Sequence, residues 1–206
     1  MEATDAADTI EEQAEEAEQA REGHDRFRKR AAIVIGIMAM LLAISGVGGG
    51  NATKETIDAN IQASDAYAFY QAKTIRQTAN VLAADNLEVV LTSQRDLPPQ
   101  TRADVQKKID GYRQTATRYE SEPATGDGKK ELLAKAQGFE AKRNHAQQQD
   151  PNFDYAQAFY QIAIVIASVS ILSDSRYLLL LSLALGTLAT VLMLNGFLLF
   201  TPLPFG

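Results

Sequence analysis

Apolar and charged residues alternate along this chain in long blocks, and each kind keeps to its own stretch. No Asp, Glu, Lys or Arg occurs from Ala31 to Thr53, and beyond Tyr155 only Asp174 and Arg176 are charged. A helix of about 20 apolar residues covers the hydrocarbon core of a bilayer. The run "AAIVIGIMAMLLAISGVGG" from Ala31 meets that length, and "YLLLLSLALGTLATVLMLNGFLLF", Tyr177 to Phe200, is longer and unbroken. Between them "AFYQIAIVIASVSIL", Ala158 to Leu172, is short, but taken back to Tyr155 it approaches span length. The "SDSR" turn, Ser173 to Arg176, then pairs it with the last run as a helical hairpin. The pattern predicts three transmembrane helices, at residues 31–50, 155–172 and 177–200, and a short tail at 201–206. Small residues in "GVGGGNA" suit a signal peptidase, but the first run is long for a signal sequence and an acidic segment precedes it, so a retained anchor is expected.

Residues 51–154 carry nearly balanced charge, little glycine outside two breaks and few β-branched runs, which is helical composition. "GGGNATKE" is expected to end the first membrane helix, with Asn51 or Thr53 capping the next. That next helix should run to about Gln94. Its residues Ile57, Ile61, Ser64, Ala68, Ile75 and Leu82 fall on a heptad-like seam, which Gln71 and Thr78 interrupt. "DLPPQTRAD" stops it, because proline lacks a donor and bars the preceding residue from the α conformation. A second helix is expected from about Gln100 to Ser121 and, after "EPATGDG", a third from Lys129 to Gln148; "QDPNFD" then resets the chain before the second span. The fold class that follows is an all-α integral membrane protein with a coiled-coil-like extramembrane region between its first two spans. Apolar content in that region is low, so burial within one chain is modest and self-association or another protein is expected to add to it.

Averaged over 206 residues, 22% charged residues and a net charge of −6 would describe a soluble protein. The segregation of charge overrides that average. It also sets an orientation, since "RFRKR" places Arg26, Arg28, Lys29 and Arg30 against the first span while the opposite flank has only Lys54 nearby. The amino terminus is therefore expected in the cytoplasm and residues 51–154 outside it, in a bacterial inner membrane. Residues 1–30, with Glu11, Glu12, Glu15, Glu16, Glu18 and Glu22 ahead of the basic patch, read as a solvated or disordered acidic tail. Zero cysteines fits an oxidising compartment.

Candidate chemistry is thin. The two histidines, His24 and His145, each stand alone in a charged helical stretch and read as surface residues. No zinc spacing, nucleophile elbow, Walker loop or dinucleotide fingerprint occurs, and "GDGKK", Gly126 to Lys130, reads as a helix-to-helix turn. A non-enzyme without cofactor, metal or nucleic-acid partner is expected. The spans hold no ionisable residue of the kind that marks transport pathways, and Asn195, the one amide of the last span, could hydrogen-bond across helices as readily as line a pore. They do carry small residues at helical spacing: Ala32, Gly36, Ala39, Ala43 and Gly46; Ala156, Ala163, Ala167 and Ser170; Ser182, Gly186, Ala189 and Gly196. Small faces let helices approach closely in lipid, so Gly36, Ala39, Ala43, Ala163, Ala167 and Gly186 are expected at helix–helix contacts.

The string Ala-Phe-Tyr-Gln occurs twice, in "DAYAFYQAKTIR" and "YAQAFYQIAIV". Tyr155, Phe159 and Tyr160 stand at the start of a span, where amphipathic rings collect, and read as membrane-interface anchors. Tyr67, Phe69 and Tyr70 lie about 30 Å beyond the first span on an upright helix, so with Lys73 and Arg76 they read as a packing or partner site. The run Tyr67 to Arg76, a charged helical region, and then "QIAIVIAS", Gln161 to Ser168, ahead of a last span together resemble an uncharacterised bacterial membrane-protein family, domain of unknown function 4337. Tyr67 stands where tryptophan is expected in that family. The resemblance implies three spans and brings no activity or cofactor with it. The expected role is non-catalytic assembly, as a self-associating scaffold or an accessory subunit of a larger membrane complex, with lipid, itself and other membrane subunits as partners. The alternative is a small oligomeric channel or transport component.

Overall fold

The computed structural model describes the backbone of residues 2–94 and 96–202, and the side chains of residue 18 and of residues 21–94 and 96–202. Among these the regular structure is entirely helical, in four helices: α1 (Glu2–Ser93), α2 (Pro99–Glu120), α3 (Lys129–Ser173) and α4 (Arg176–Leu198). Three of them contain stretches long and apolar enough to cross a membrane, those in α1, α3 and α4, and the stretch in α3 is the least apolar. The chain divides into two compact units, one of Met1–Thr53 with Ala146–Gly206 and the other of Lys54–His145.

Three sequence expectations are corrected. First, "GGGNATKE" does not end a helix, and neither Asn51 nor Thr53 is a cap, because α1 runs through both. The glycines serve close approach instead: a Cβ at Gly48 would lie 2.8 Å from Phe153 Cζ, and one at Gly49 would lie 3.2 Å from Phe153 Cβ. Each glycine costs a helix about 1 kcal/mol relative to alanine, and burying the Phe153 ring against this notch offsets that cost. Second, α3 passes through Pro151 without a break. Proline forfeits one backbone hydrogen bond, but the residues around it are held from several sides. The Asn152 amide donates to Gln148 O at 2.9 Å, the Ser45 hydroxyl donates to Phe153 O at 3.3 Å, and the Thr53 hydroxyl lies 3.0 Å from Asp150 Oδ1. Third, the backbone of the acidic stretch is helical from Glu2, as part of α1, and not an irregular tail; its side chains before residue 21, Glu18 excepted, lie outside the described residues.

The first unit closes around Phe153 and Tyr160, both almost fully buried, with Met38, Met193 and the alanines 52, 156, 163 and 189. Phe153 meets Phe197 edge to face, with ring centroids 4.8 Å apart, a favoured aromatic geometry. A polar network sits beside it. Asn195 donates to Asn152 Oδ1 at 2.6 Å and to Thr201 O at 2.9 Å, and accepts from the Thr201 N–H at 3.1 Å. It thereby ties the end of α4 to α3.

In the second unit, α1 buries alanines 59, 63, 66 and 84, while α2 buries Ile109 and Ala116 and α3 buries Leu132 and Ala136. Paired prolines start α2, with Pro99 at a first-turn position where its missing donor costs nothing. The turn into α3 needs glycine twice: Gly126 adopts φ +69°, and a Cβ on Gly128 would lie 2.7 Å from Ser121 Cα. Glu131 in the first turn of α3 reaches back, accepting from the Ser121 hydroxyl at 2.6 Å and from the Glu122 N–H at 3.1 Å.

Candidate functional site

Within the second unit the aromatic box of α1 is split between two faces. Tyr67 and Tyr70 are half-buried. The Tyr67 hydroxyl donates to Glu140 Oε2 on α3 at 3.1 Å, and burial, with that bond as the second cause, raises its pKa above the ordinary tyrosine value. The Lys129 ammonium stands 5.7 Å from the centre of the Tyr70 ring, and the Lys73 ammonium stands 5.1 Å from that of Tyr119 on α2, both within cation–π range. These residues are therefore used by the chain's own packing. Phe69 is different, being 63% exposed. It lines an open groove of about 510 Å³ with Asp65, Lys73 and Arg76 of α1, and with Leu132, Lys135 and Phe139 of α3.

Beside the box lies a polar junction that sequence reasoning did not single out. Gln77 accepts from Lys129 Nζ at 2.8 Å and donates to Glu120 Oε2 at 3.0 Å and to Ala116 O at 3.1 Å. Lys129 also reaches Glu120, at 3.1 Å. The bond from Gln77, and then that from Lys129, holds the Glu120 carboxyl below its ordinary range; the Ser121 hydroxyl does the same for Glu131. The one sequence signal for Gln77 was indirect, a polar residue in an otherwise amphipathic helix. Lys129 was read only as the start of a helix at a turn, with nothing local to give it a partner.

The heptad seam of α1 faces outward along its whole length. Ile57, Ile61, Ile75 and Leu82 are 56%, 54%, 70% and 56% exposed, and Ser64, Ala68, Gln71 and Thr78 between them are exposed too. Val89, one heptad beyond Leu82, is exposed as well. The helix meets α2 and α3 through its alanines instead, so the seam has no cover among the described residues.

In the first unit the expected helix–helix residues separate into two groups. Ala163, Ala167 and Gly186 are buried. Ser182 donates to Ala163 O at 2.8 Å, and a Cβ on Gly186 would lie 2.6 Å from Met38 Cε. Gly36, Ala39 and Ala43, however, are exposed. The contact face of α1 in this unit is made by Ala31, Met38, Ser45 and Gly48, together with Leu41 and Leu42. The expectation for Gly36, Ala39 and Ala43 is corrected as far as contacts within the chain go: they lie on the outer face of α1, beside the exposed Ile33, Ile37, Met40 and Ile44.

The expected interface anchors also divide. Tyr155 is 42% exposed and Phe159 half-buried. Tyr160 is fully buried, its hydroxyl 2.9 Å from Thr190 Oγ1 on α4. It is a packing residue, not an anchor, because its position in the helix turns it toward α4. Arg26, Arg28, Lys29 and Arg30 are all exposed, and Arg26 pairs with Glu22 at 3.2 Å. His24, expected to stand alone, has its Nδ1 2.9 Å from Asp174 Oδ1 in the turn between α3 and α4. Asn195, the amide left open between packing and pore lining, spends its donors and acceptor in the network with Asn152 and Thr201.

Fold and surface together define an all-helical protein with three helices apolar and long enough to cross a membrane. The matching family model, described as "Domain of unknown function (DUF4337)", covers residues 27–199. The chain belongs to that family. No curated protein and no solved structure matches it.

Proposed function

We propose that this is a non-catalytic bacterial inner-membrane protein acting in assembly, in which residues 31–50, 155–172 and 177–200 cross the bilayer and the helical unit Lys54–His145 associates with a second copy. The amino terminus is cytoplasmic in this reading and the helical unit lies on the other side. What supports it is the outward seam of α1. Its large members Ile57, Ile61, Ile75, Leu82 and Val89 are each more than half exposed, and covering the exposed part gains roughly 1–2 kcal/mol for each. The a/d-like spacing is the one that suits a partner helix. The exposed stripe Gly36, Ala39 and Ala43 fits the same reading, since small residues let a second helix approach in lipid.

The test is the mass of the full chain extracted in a mild detergent, measured by light scattering with the detergent contribution removed. The wild type should be a dimer or larger. The double variant Ile61→Asn with Leu82→Asn should fall to a monomer with unchanged helical circular dichroism. A wild type that runs as a lone monomer overturns the proposal. A stoichiometric second protein in the preparation would move the reading from scaffold to accessory subunit, with the same seam as the contact.

A further inference from the structure

A second surface, in the first unit, combines unpaired positive charge with an apolar wall. Arg26, Phe27 and Arg30 of α1 and Arg176, Leu179 and Leu183 of α4 line one groove of about 460 Å³. Arg30 and Arg176 make no ion pair among the described residues. Of the acids close to them in sequence, Glu22 holds Arg26 and Asp174 holds His24, while Asp25 makes no ion pair with either arginine. Leu180, also on this groove, is 63% exposed, and Leu183 is 38% exposed.

We infer that this groove binds an anionic glycerophospholipid, with its phosphate between Arg30 and Arg176 and an acyl chain along Leu179, Leu180 and Leu183. A guanidinium presents a planar fork of donors that matches phosphate oxygens two at a time. Two such forks on different helices enclose a phosphate better than a row of charges on one helix does. The leucines begin within one turn of Arg176, which is the order of headgroup and chain in a lipid. The inference rests on the membrane reading above, because that reading puts "RFRKR" and the "SDSR" turn at the same cytoplasmic surface, where anionic lipids concentrate basic groups. A soluble phosphate ester would use the arginines and leave the leucine wall unused.

Native mass spectrometry of the full chain, released from detergent micelles doped with equimolar phosphatidylglycerol and phosphatidylcholine, reads the site directly. The wild type should retain phosphatidylglycerol in preference to phosphatidylcholine. Each basic group facing an anionic headgroup is worth about fivefold in retention, so Arg30→Gln with Arg176→Gln should weaken it about 25-fold. Arg28→Gln with Lys29→Gln removes the same charge from positions outside the groove and should leave the preference intact. Equal losses in the two double variants, or no preference in the wild type, overturn the site. So does full displacement by glycerol phosphate, which carries the headgroup without chains. Carbonate washing of native membranes separates the two levels: a chain released without detergent overturns the membrane reading and this site together, whereas a chain that stays in the bilayer and shows no lipid preference overturns this site alone.

Discussion

The two compact units close on α1 in different ways. In the unit Met1–Thr53 with Ala146–Gly206, α1 turns Met38 inward together with Ala31, Ser45, Gly48 and Gly49, and leaves Gly36, Ala39 and Ala43 outside beside the exposed Ile33, Ile37, Met40 and Ile44. In the unit Lys54–His145 it turns alanines 59, 63, 66 and 84 inward and leaves the isoleucine seam outside. The closing interactions differ as well. The first unit is locked by one large ring in a glycine notch and by neutral amides; the second is locked by alanine contacts and by charged groups that hydrogen-bond between helices. Close approach is thus achieved by glycine under Phe153 in one unit and by alanine in the other. The cost in the second unit is a small core and a set of large apolar residues left without a partner.

The sharpest way to break this contrast is Phe153→Ala. The ring is 1% exposed and fills space that Gly48, Gly49 and Gly196 leave open. Truncating a buried phenylalanine costs about 3–5 kcal/mol, and here no neighbouring side chain can collapse into a notch built of glycines. Thermal unfolding in mild detergent should show a large drop in midpoint, while proteolytic protection of residues 54–145 persists. Equal loss of protection in both units would mean that the division into two separately stabilised bodies is wrong.

A smaller effect is expected from Asn195→Leu. The substitution preserves bulk but strands Asn152 Oδ1 and the Thr201 backbone, groups that Asn195 now satisfies at 2.6–3.1 Å. Leaving buried polar groups unpaired costs about 1–3 kcal/mol. The same unfolding measurement should register that loss, and Asn152→Leu added on the same chain should restore part of it, since an apolar pair replaces a hydrogen-bonded one. A single variant as stable as the wild type would show that the network contributes nothing.

Periodic features of this structure were legible in the sequence, and features owed to a distant residue were not. The apolar runs, the heptad seam and the proline stop before α2 all announce themselves through local composition or spacing. The continuity of α1 through Gly48 to Gly50 does not, because glycine in a run reads as a break until Phe153 is known to press on it. Pro151 is the same case, with its supporting bonds arriving from Ser45 and Thr53. The small stripe on α1 was visible as a face, but spacing alone does not say whether that face meets its own chain. Tyr155 and Tyr160 were given one role because both stand at the start of an apolar run, yet they differ by about half a turn, which sends one outward and the other onto Thr190. The outward turn of Phe69 against the inward turn of Tyr67 and Tyr70 is the same lesson on α1.

The gentlest probe of the contrast is acid. Glu120 and Glu131 both have their carboxyls held below the ordinary value of 4.5, Glu120 first by Gln77 and then by Lys129, and Glu131 first by Ser121. A carboxylate whose folded pKa is lowered contributes stability above its unfolded value, and that contribution fades as pH falls through the folded one. Protonation should therefore loosen the junction of α2 and α3 as pH drops below the ordinary glutamate range. The loss should be small, because both groups are only half-buried and solvent still screens them. The core of the first unit around Tyr160 is closed by neutral groups and should not respond. Hydrogen exchange corrected for its intrinsic pH dependence can follow both units in one experiment, with peptides across residues 116–135 losing protection while those across 156–167 keep theirs. Glu131→Gln should produce part of this loosening at neutral pH, since a neutral amide accepts the Ser121 and Glu122 bonds more weakly. If acid opened the two units together, or left residues 116–135 untouched, charge would not be what distinguishes how they are closed.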